Sequence, residues 1–234
     1  MDTGWIEGVA RTISQMITHP FEQRKIQLQV HGCTGKGISF RGIFQTSLAS
    51  GFVYTSYYSF YRTLGETNQL SSTVSAVLNS FIKTPIHNSM RYFFAVSSMP
   101  NLVCCVKDIY KKNGLRGLYS GYRVNIAEDI IEMNIRDGIY ERYKIQKPLR
   151  VFHWEIGPGM FNGMLGAFAG SLAAAATTPF DVMKSNLLYH TGRLSVSETC
   201  ALVKGKMFHG VSYRFCNNIM RYFVFYYVCG LWMK

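Results

Sequence analysis

Charge is scarce in this chain of 234 residues: Asp, Glu, Lys and Arg make up 16% against 48% hydrophobic residues. That balance excludes an ordinary water-facing surface and suits a membrane protein lined by a polar cavity. Mean hydropathy near zero is low for a lipid-filled bundle. The six cysteines, Cys33, Cys104, Cys105, Cys200, Cys216 and Cys229, show no CxxC and no metal spacing with histidine, so they read as unpaired thiols. No histidine pair at i, i+4 suggests a metal site. A glycine-rich phosphate loop and a nucleophile beside a base are both missing, which leaves enzymatic catalysis without support. Basic residues do not gather on one face as nucleic-acid binding requires. The start, Met1-Asp2-Thr3-Gly4-Trp5, carries no Arg-rich, Ser-rich transit segment, and an internal targeting signal is expected instead.

Proline is rare as well, and three of the six recur in one setting: His19-Pro20-Phe21-Glu22-Gln23-Arg24-Lys25, Thr84-Pro85-Ile86-His87-Asn88-Ser89-Met90-Arg91 and Thr178-Pro179-Phe180-Asp181-Val182-Met183-Lys184. The first and third read Pro-x-acid-x-x-Lys. Each proline ends a largely apolar stretch, Trp5 to Thr18, Leu70 to Thr84 and Ile156 to Thr178. There a missing backbone donor kinks a helix without forbidding membrane burial, so Pro20, Pro85 and Pro179 read as kinks. A second series, Phe40-Arg41-Gly42, Tyr119-Ser120-Gly121 and Phe208-His209-Gly210, precedes three further aromatic-rich segments. The chain therefore reads as three copies of helix, polar loop, helix. Their bounds are 1–66, 67–148 and 149–234.

At these residues, and in Gly114-Leu115-Arg116-Gly117-Leu118-Tyr119-Ser120-Gly121, the sequence resembles the mitochondrial carrier family. The resemblance implies an all-α membrane protein: six transmembrane helices in three tandem pairs, with pseudo-threefold symmetry around a central cavity. Ile43 to Tyr61 and Ile156 to Phe180 carry no charge and are long enough to span a bilayer. Positive charge follows the odd helices, at Arg24, Lys25, Lys36 and Arg41, then Arg91, Lys107, Lys111, Lys112 and Arg116, then Lys184, Arg193, Lys204 and Lys206. These loops are expected to face the matrix. The implied location is the mitochondrial inner membrane. The first repeat leaves only about fifteen residues between Lys25 and Phe40, too few for a surface helix. Such trimming suits a reduced genome, that of a large virus or an intracellular parasite, with the host's mitochondrion as the site.

In the resembled family, the acid after each proline pairs with the base of the next repeat and closes the matrix side. By position Lys25 meets Asp181, braced by Gln29. Glu22 needs a base where Met90 stands, with Arg91 beside it as a substitute, and Lys184 needs an acid where His87 stands. Two of three latch bridges are thus expected to be missing. On the opposite side only Tyr140-Glu141-Arg142-Tyr143-Lys144 keeps the family's aromatic-acid-x-x-base pattern; Tyr61-Arg62-Thr63-Leu64-Gly65 does not. Little is expected to hold that side shut.

Substrate contacts are expected at one depth: Ala49, Ser50 and Tyr54 on the second helix, Glu128, Asp129 and Glu132 on the fourth, and Arg214, Asn217 and Arg221 on the sixth. Ionisable groups at such depth read as functional, with mutual pairing of Glu128 or Glu132 with Arg214 or Arg221 as the structural alternative. A nucleotide or deoxynucleotide, moved by exchange, would use Arg214, Arg221 and Arg123 for phosphates and Tyr54, Tyr57 or Tyr58 for the base. A cationic or zwitterionic metabolite such as a basic amino acid would use Glu128, Asp129 and Glu132. A third reading is a carrier-derived receptor or scaffold that no longer transports. The basic balance favours an anionic small molecule as partner. Gly42, Gly121 and Gly210 leave backbone N–H groups at positive helix ends, where cardiolipin or another anionic lipid is expected. No metal, cofactor or nucleic acid is expected, and six helices in one chain suit a monomer.

Overall fold

The proline-ended stretches and the segments after each glycine motif become long helices. The computed structural model describes residues 4–32, 40–65, 69–96, 99–143, 149–151, 154–156, 158–189 and 196–232. In chain order these hold α1 (Gly4–His31), α2 (Ile43–Thr63), α3 (Gln69–Ala95), α4 (Leu102–Leu118), α5 (Tyr122–Tyr143), β1 (Leu149–Val151), β2 (Trp154–Ile156), α6 (Pro158–Ala176), α7 (Thr178–Tyr189), α8 (Val196–Val203) and α9 (Val211–Trp232). The chain is thus mostly helical, with one short antiparallel hairpin, Leu149 opposite Ile156.

The three prolines behave differently. α1 and α3 run on through Pro20 and Pro85. At the third motif the helix is interrupted at Thr177, and Pro179 lies in the first turn of α7, where its missing N–H costs least. Residues 156–180 are therefore not one continuous span. Gly42, Gly121 and Gly210 precede α2, α5 and α9 with φ of 70°, 72° and 81°, a left-handed turn that β-carbons disfavour. At Gly42 a Cβ would also lie 2.5 Å from Phe93 Cε1.

Around the molecule each long helix touches the next: α1 packs on α2, α2 on α3, α3 on α5, α5 on α6, α6 on α9, and α9 returns to α1. Small residues allow the close approaches. A Cβ on Gly8 would meet Thr55 Oγ1 at 2.1 Å, and one on Gly51 would meet Thr12 Oγ1 at 2.1 Å. Gly170 likewise seats the Tyr222 ring. Gly8 and Gly170 thus serve packing within the chain. The surface helix α4, capped by the Asn101 side chain accepting from the Cys104 N–H at 2.9 Å, lies against α3.

Polarity is distributed the reverse of a water-soluble protein. Phe44, Leu48 and Phe52 on α2, and Met160, Met164, Phe168 and Leu172 on α6, are exposed at helical spacing, while Ser14, Thr18, Thr46, Ser80, Ser171 and Asp181 are buried. Many buried hydroxyls satisfy themselves by donating to the carbonyl four residues back, as Thr18 does to Ser14 at 2.8 Å and Ser171 to Ala167 at 2.7 Å. The polar inner faces lower each helix's average. Among the described residues no helix is long and apolar enough to cross a membrane, so the expected apolar spans over 43–61 and 156–180 are not met by hydropathy.

Candidate ion-paired cavity

Helical spacing sets which charges can meet. On α1, Glu22, Lys25 and Gln29 stand three and four residues apart and share a face; on α7, Asp181, Lys184 and Ser185 do the same. The two faces meet. Lys25 Nζ lies 3.3 Å from Asp181 Oδ2, and Gln29 Nε2 donates to the same oxygen at 2.8 Å. Ser185 Oγ donates to Gln29 Oε1 at 2.9 Å, which fixes the amide. Asp181 is 1% exposed and has two further cationic partners, Arg91 from α3 and Arg214 from α9, the latter at 3.4 Å.

The other latch residues turn to the even helices. Glu22 holds Lys25 at 2.9 Å and pairs with Arg221, and Asn217 Nδ2 donates to it at 2.9 Å. Lys184 pairs with Glu128 and donates to Asn125 Oδ1 at 2.8 Å. Arg214 binds Glu128 at 2.6 Å, Glu132 at 3.3 Å and Thr177 Oγ1 at 3.0 Å. These links join α1, α3, α5, α7 and α9 in one network of five cations (Lys25, Arg91, Lys184, Arg214, Arg221) and four carboxylates (Glu22, Glu128, Glu132, Asp181). Each of these charges has an opposite partner, so losing one member would leave buried charge less compensated.

A family model described as "mitochondrial carrier protein" matches residues 67–147. Over those residues the chain is similar to the mitochondrial carrier family. It is 39% identical over 83 residues to S-adenosylmethionine carrier 1, chloroplastic/mitochondrial, of Arabidopsis thaliana, covering 36% of this chain and 25% of that protein. It is 25% identical over 198 residues to the mitochondrial S-adenosylmethionine carrier protein of Mus musculus, covering 77% of this chain and 71% of the relative. Mitoferrin of Dictyostelium discoideum is 26% identical over 199 residues, covering 77% and 61%. The matches thus span between a quarter and about seven-tenths of these carriers' own lengths.

Several expectations for this chain change. Glu22 and Lys184 do have partners, but not at Met90 and His87: the compensating charges come from Arg221 on α9 and Glu128 on α5. Arg91 reaches Asp181 rather than Glu22. Half-buried His87 makes no hydrogen bond or ion pair among the described residues. Arg214 and Arg221, expected to meet phosphates, are already held by carboxylates, and Arg123 is exposed. Asp129 turns to α3, pairing with Lys83 and accepting from Ser80 Oγ at 3.3 Å. Ala49 packs against the aromatic cluster around Phe93 and Phe94, not the cavity. The side chains of Tyr140 and Glu141, and all of Lys144, lie outside the described residues. At that end Arg62 instead pairs with Glu7 of α1 at 3.2 Å, so more than the even-helix motif holds it.

Sequence reasoning missed Lys83 and Arg11. Arg11 is 7% exposed, donates from Nε to Ser50 Oγ at 3.3 Å, and lies with its guanidinium 4.3 Å from the Tyr54 ring centre. Its signal was present: it is a lone base inside the stretch from Trp5 to Thr18, and charge at such a depth marks function. Among the described residues no group of three His, Cys, Asp or Glu side chains could hold a metal.

Proposed function

We propose that this carrier is an alternating-access transporter of the inner mitochondrial membrane, and that its substrate is S-adenosylmethionine or a similarly zwitterionic nucleoside. Its six long helical passes, α1, α2, α3, α5, α6 with α7, and α9, span the bilayer as three pseudo-symmetric pairs. The closed ring of helix contacts and the exposed apolar outer faces support this. The ion-paired layer at Glu22, Lys25 and Asp181 is the matrix gate, and these pairs are its engaged form.

The observation that carries the substrate reading is the pairing of Arg214 with buried Glu128 and of Arg221 with partly buried Glu22. A polyphosphate would find these cations taken. S-adenosylmethionine brings a sulfonium and an ammonium beside one carboxylate, and Glu132, 22% exposed and held by one contact at 3.3 Å, is the acid best placed to receive a cation. The aromatic wall of Tyr54, Tyr58 and Phe225, with Tyr54 5.8 Å from Phe225, suits the adenine ring. The names of the relatives point the same way.

The test is uptake into liposomes carrying the purified protein, with labelled S-adenosylmethionine, ADP, a deoxynucleotide and lysine offered separately. Uptake of S-adenosylmethionine above protein-free liposomes is expected. Uptake of ADP or the deoxynucleotide alone would restore the phosphate reading.

A further inference from the structure

Every other cation described in the cavity has a carboxylate; Arg11 does not. Its one polar contact is Ser50 Oγ, at 3.3 Å, and no acid lies within ion-pair distance among the described residues. The nearby Glu22 and Arg221 are already paired to each other. A guanidinium carries five N–H donors, and Nε uses one of them. The four on Nη1 and Nη2 meet no acceptor among the described residues. A charge 7% exposed is expensive to keep without a counter-ion, so the site is one acidic group short of complete.

Placement says which acid completes it. Arg11 stands one turn beyond Glu7, whose carboxylate pairs with Arg62, and eleven residues before Glu22. That puts it about 6 Å from the first ion-paired layer and about 16 Å from the second along α1. It therefore sits between the two ends of the cavity, at the depth of Ser50, where a moving solute passes. The Tyr54 ring packs 4.3 Å from the guanidinium carbon, and the donors on Nη1 and Nη2 are of the kind that a carboxylate accepts in two-pronged fashion.

We propose that Arg11 is the carboxylate anchor of the substrate site, a specificity-determining residue on the first helix that selects solutes bearing a carboxylate. This deepens the carrier reading above and rests on it for the ligand's position. Glu132 then takes the cationic end of the same molecule.

The test compares wild type, Arg11→Gln and Arg11→Lys in liposomes, with S-adenosylmethionine and its decarboxylated analogue as competitors of labelled S-adenosylmethionine uptake. Arg11→Gln should weaken competition by S-adenosylmethionine about ten- to a hundredfold and leave the decarboxylated analogue as effective as with wild type. Arg11→Lys, which keeps the charge and loses the fork, should fall between and stands in if Arg11→Gln does not fold. Equal loss for both competitors, or no loss for either, overturns the proposal. A second measurement separates this from failure of the carrier reading: melting of the detergent-solubilised protein with methionine, citrate and other carboxylates against matched amines. Protection of wild type by a carboxylate, lost in Arg11→Gln, supports the anchor even if S-adenosylmethionine is not carried. No protection by any carboxylate overturns it.

Discussion

Exchanging the charges of Lys25 and Asp181 would restore function if they formed an isolated pair, and the structure predicts that it will not. Asp181 also faces Arg91 and Arg214, and Lys25 also faces Glu22. With Lys25→Asp and Asp181→Lys together, one attraction survives and three repulsions appear. At the 3.4 Å separation of Arg214 and Asp181, each unit-charge contact is worth about 5 kcal/mol at an effective dielectric of about 20. The double reversal should therefore be no more active than either single one, and less stable. Asp181→Asn should be more damaging than Lys25→Ala: it removes the acid that three cations share and leaves Arg91 with no carboxylate among the described residues, at about 3–5 kcal/mol for a broken buried pair, whereas Lys25→Ala leaves Asp181 two guanidiniums and Gln29. Uptake into liposomes, with melting of each variant in detergent, reads both effects. Recovery of half or more of wild-type uptake by the double reversal would show that Arg91 and Arg214 do not hold Asp181 in the working protein.

Other outcomes follow from packing and lipid chemistry. Gly51→Ala should lower the melting temperature by about 2–4 °C per kcal/mol of strain, because its Cβ would meet Thr12 Oγ1 at 2.1 Å and the Gly8 carbonyl oxygen at 2.8 Å; an unchanged melt would show that α1 and α2 can separate freely. Iodoacetamide at pH 8 should modify Cys104 and spare Cys105, whose thiol burial pushes up to about 12, as read by peptide mass. Equal labelling of the two would contradict the packing of α4 on α3. Cardiolipin should raise the melting temperature of the solubilised protein through the N–H groups at Gly42, Gly121 and Gly210, and no shift would count against lipid seats there.

Much of the frame was legible because it is written in residues with few alternatives. Pro179 and the positive-φ glycines Gly42, Gly121 and Gly210 each mark a helix start, and these starts help set the helix order. The partner of Lys25 was legible because an acid stands two residues after the first and third prolines, at Glu22 and Asp181. The rewired half of the cluster was not. That Lys184 finds Glu128 and Glu22 finds Arg221 depends on helix neighbours 56 and 199 residues apart, which spacing along one helix cannot reveal. The missing latch charges read as erosion because compensation from α5 and α9 leaves no local pattern. Arg11 escaped notice because the thirteen mostly uncharged residues around it, from Trp5 to Thr18, outweighed one base.

The central claim is that this ion-paired cavity works as a gated transport path. Counter-exchange tests it most directly: uptake of labelled S-adenosylmethionine into liposomes with and without unlabelled S-adenosylmethionine inside, for wild type and Asp181→Asn. Uptake by wild type that rises with internal substrate and is lost in Asp181→Asn is the predicted result. Uptake by wild type no greater than in protein-free liposomes, for this and every solute offered, would contradict it and leave a carrier-shaped protein that does not transport.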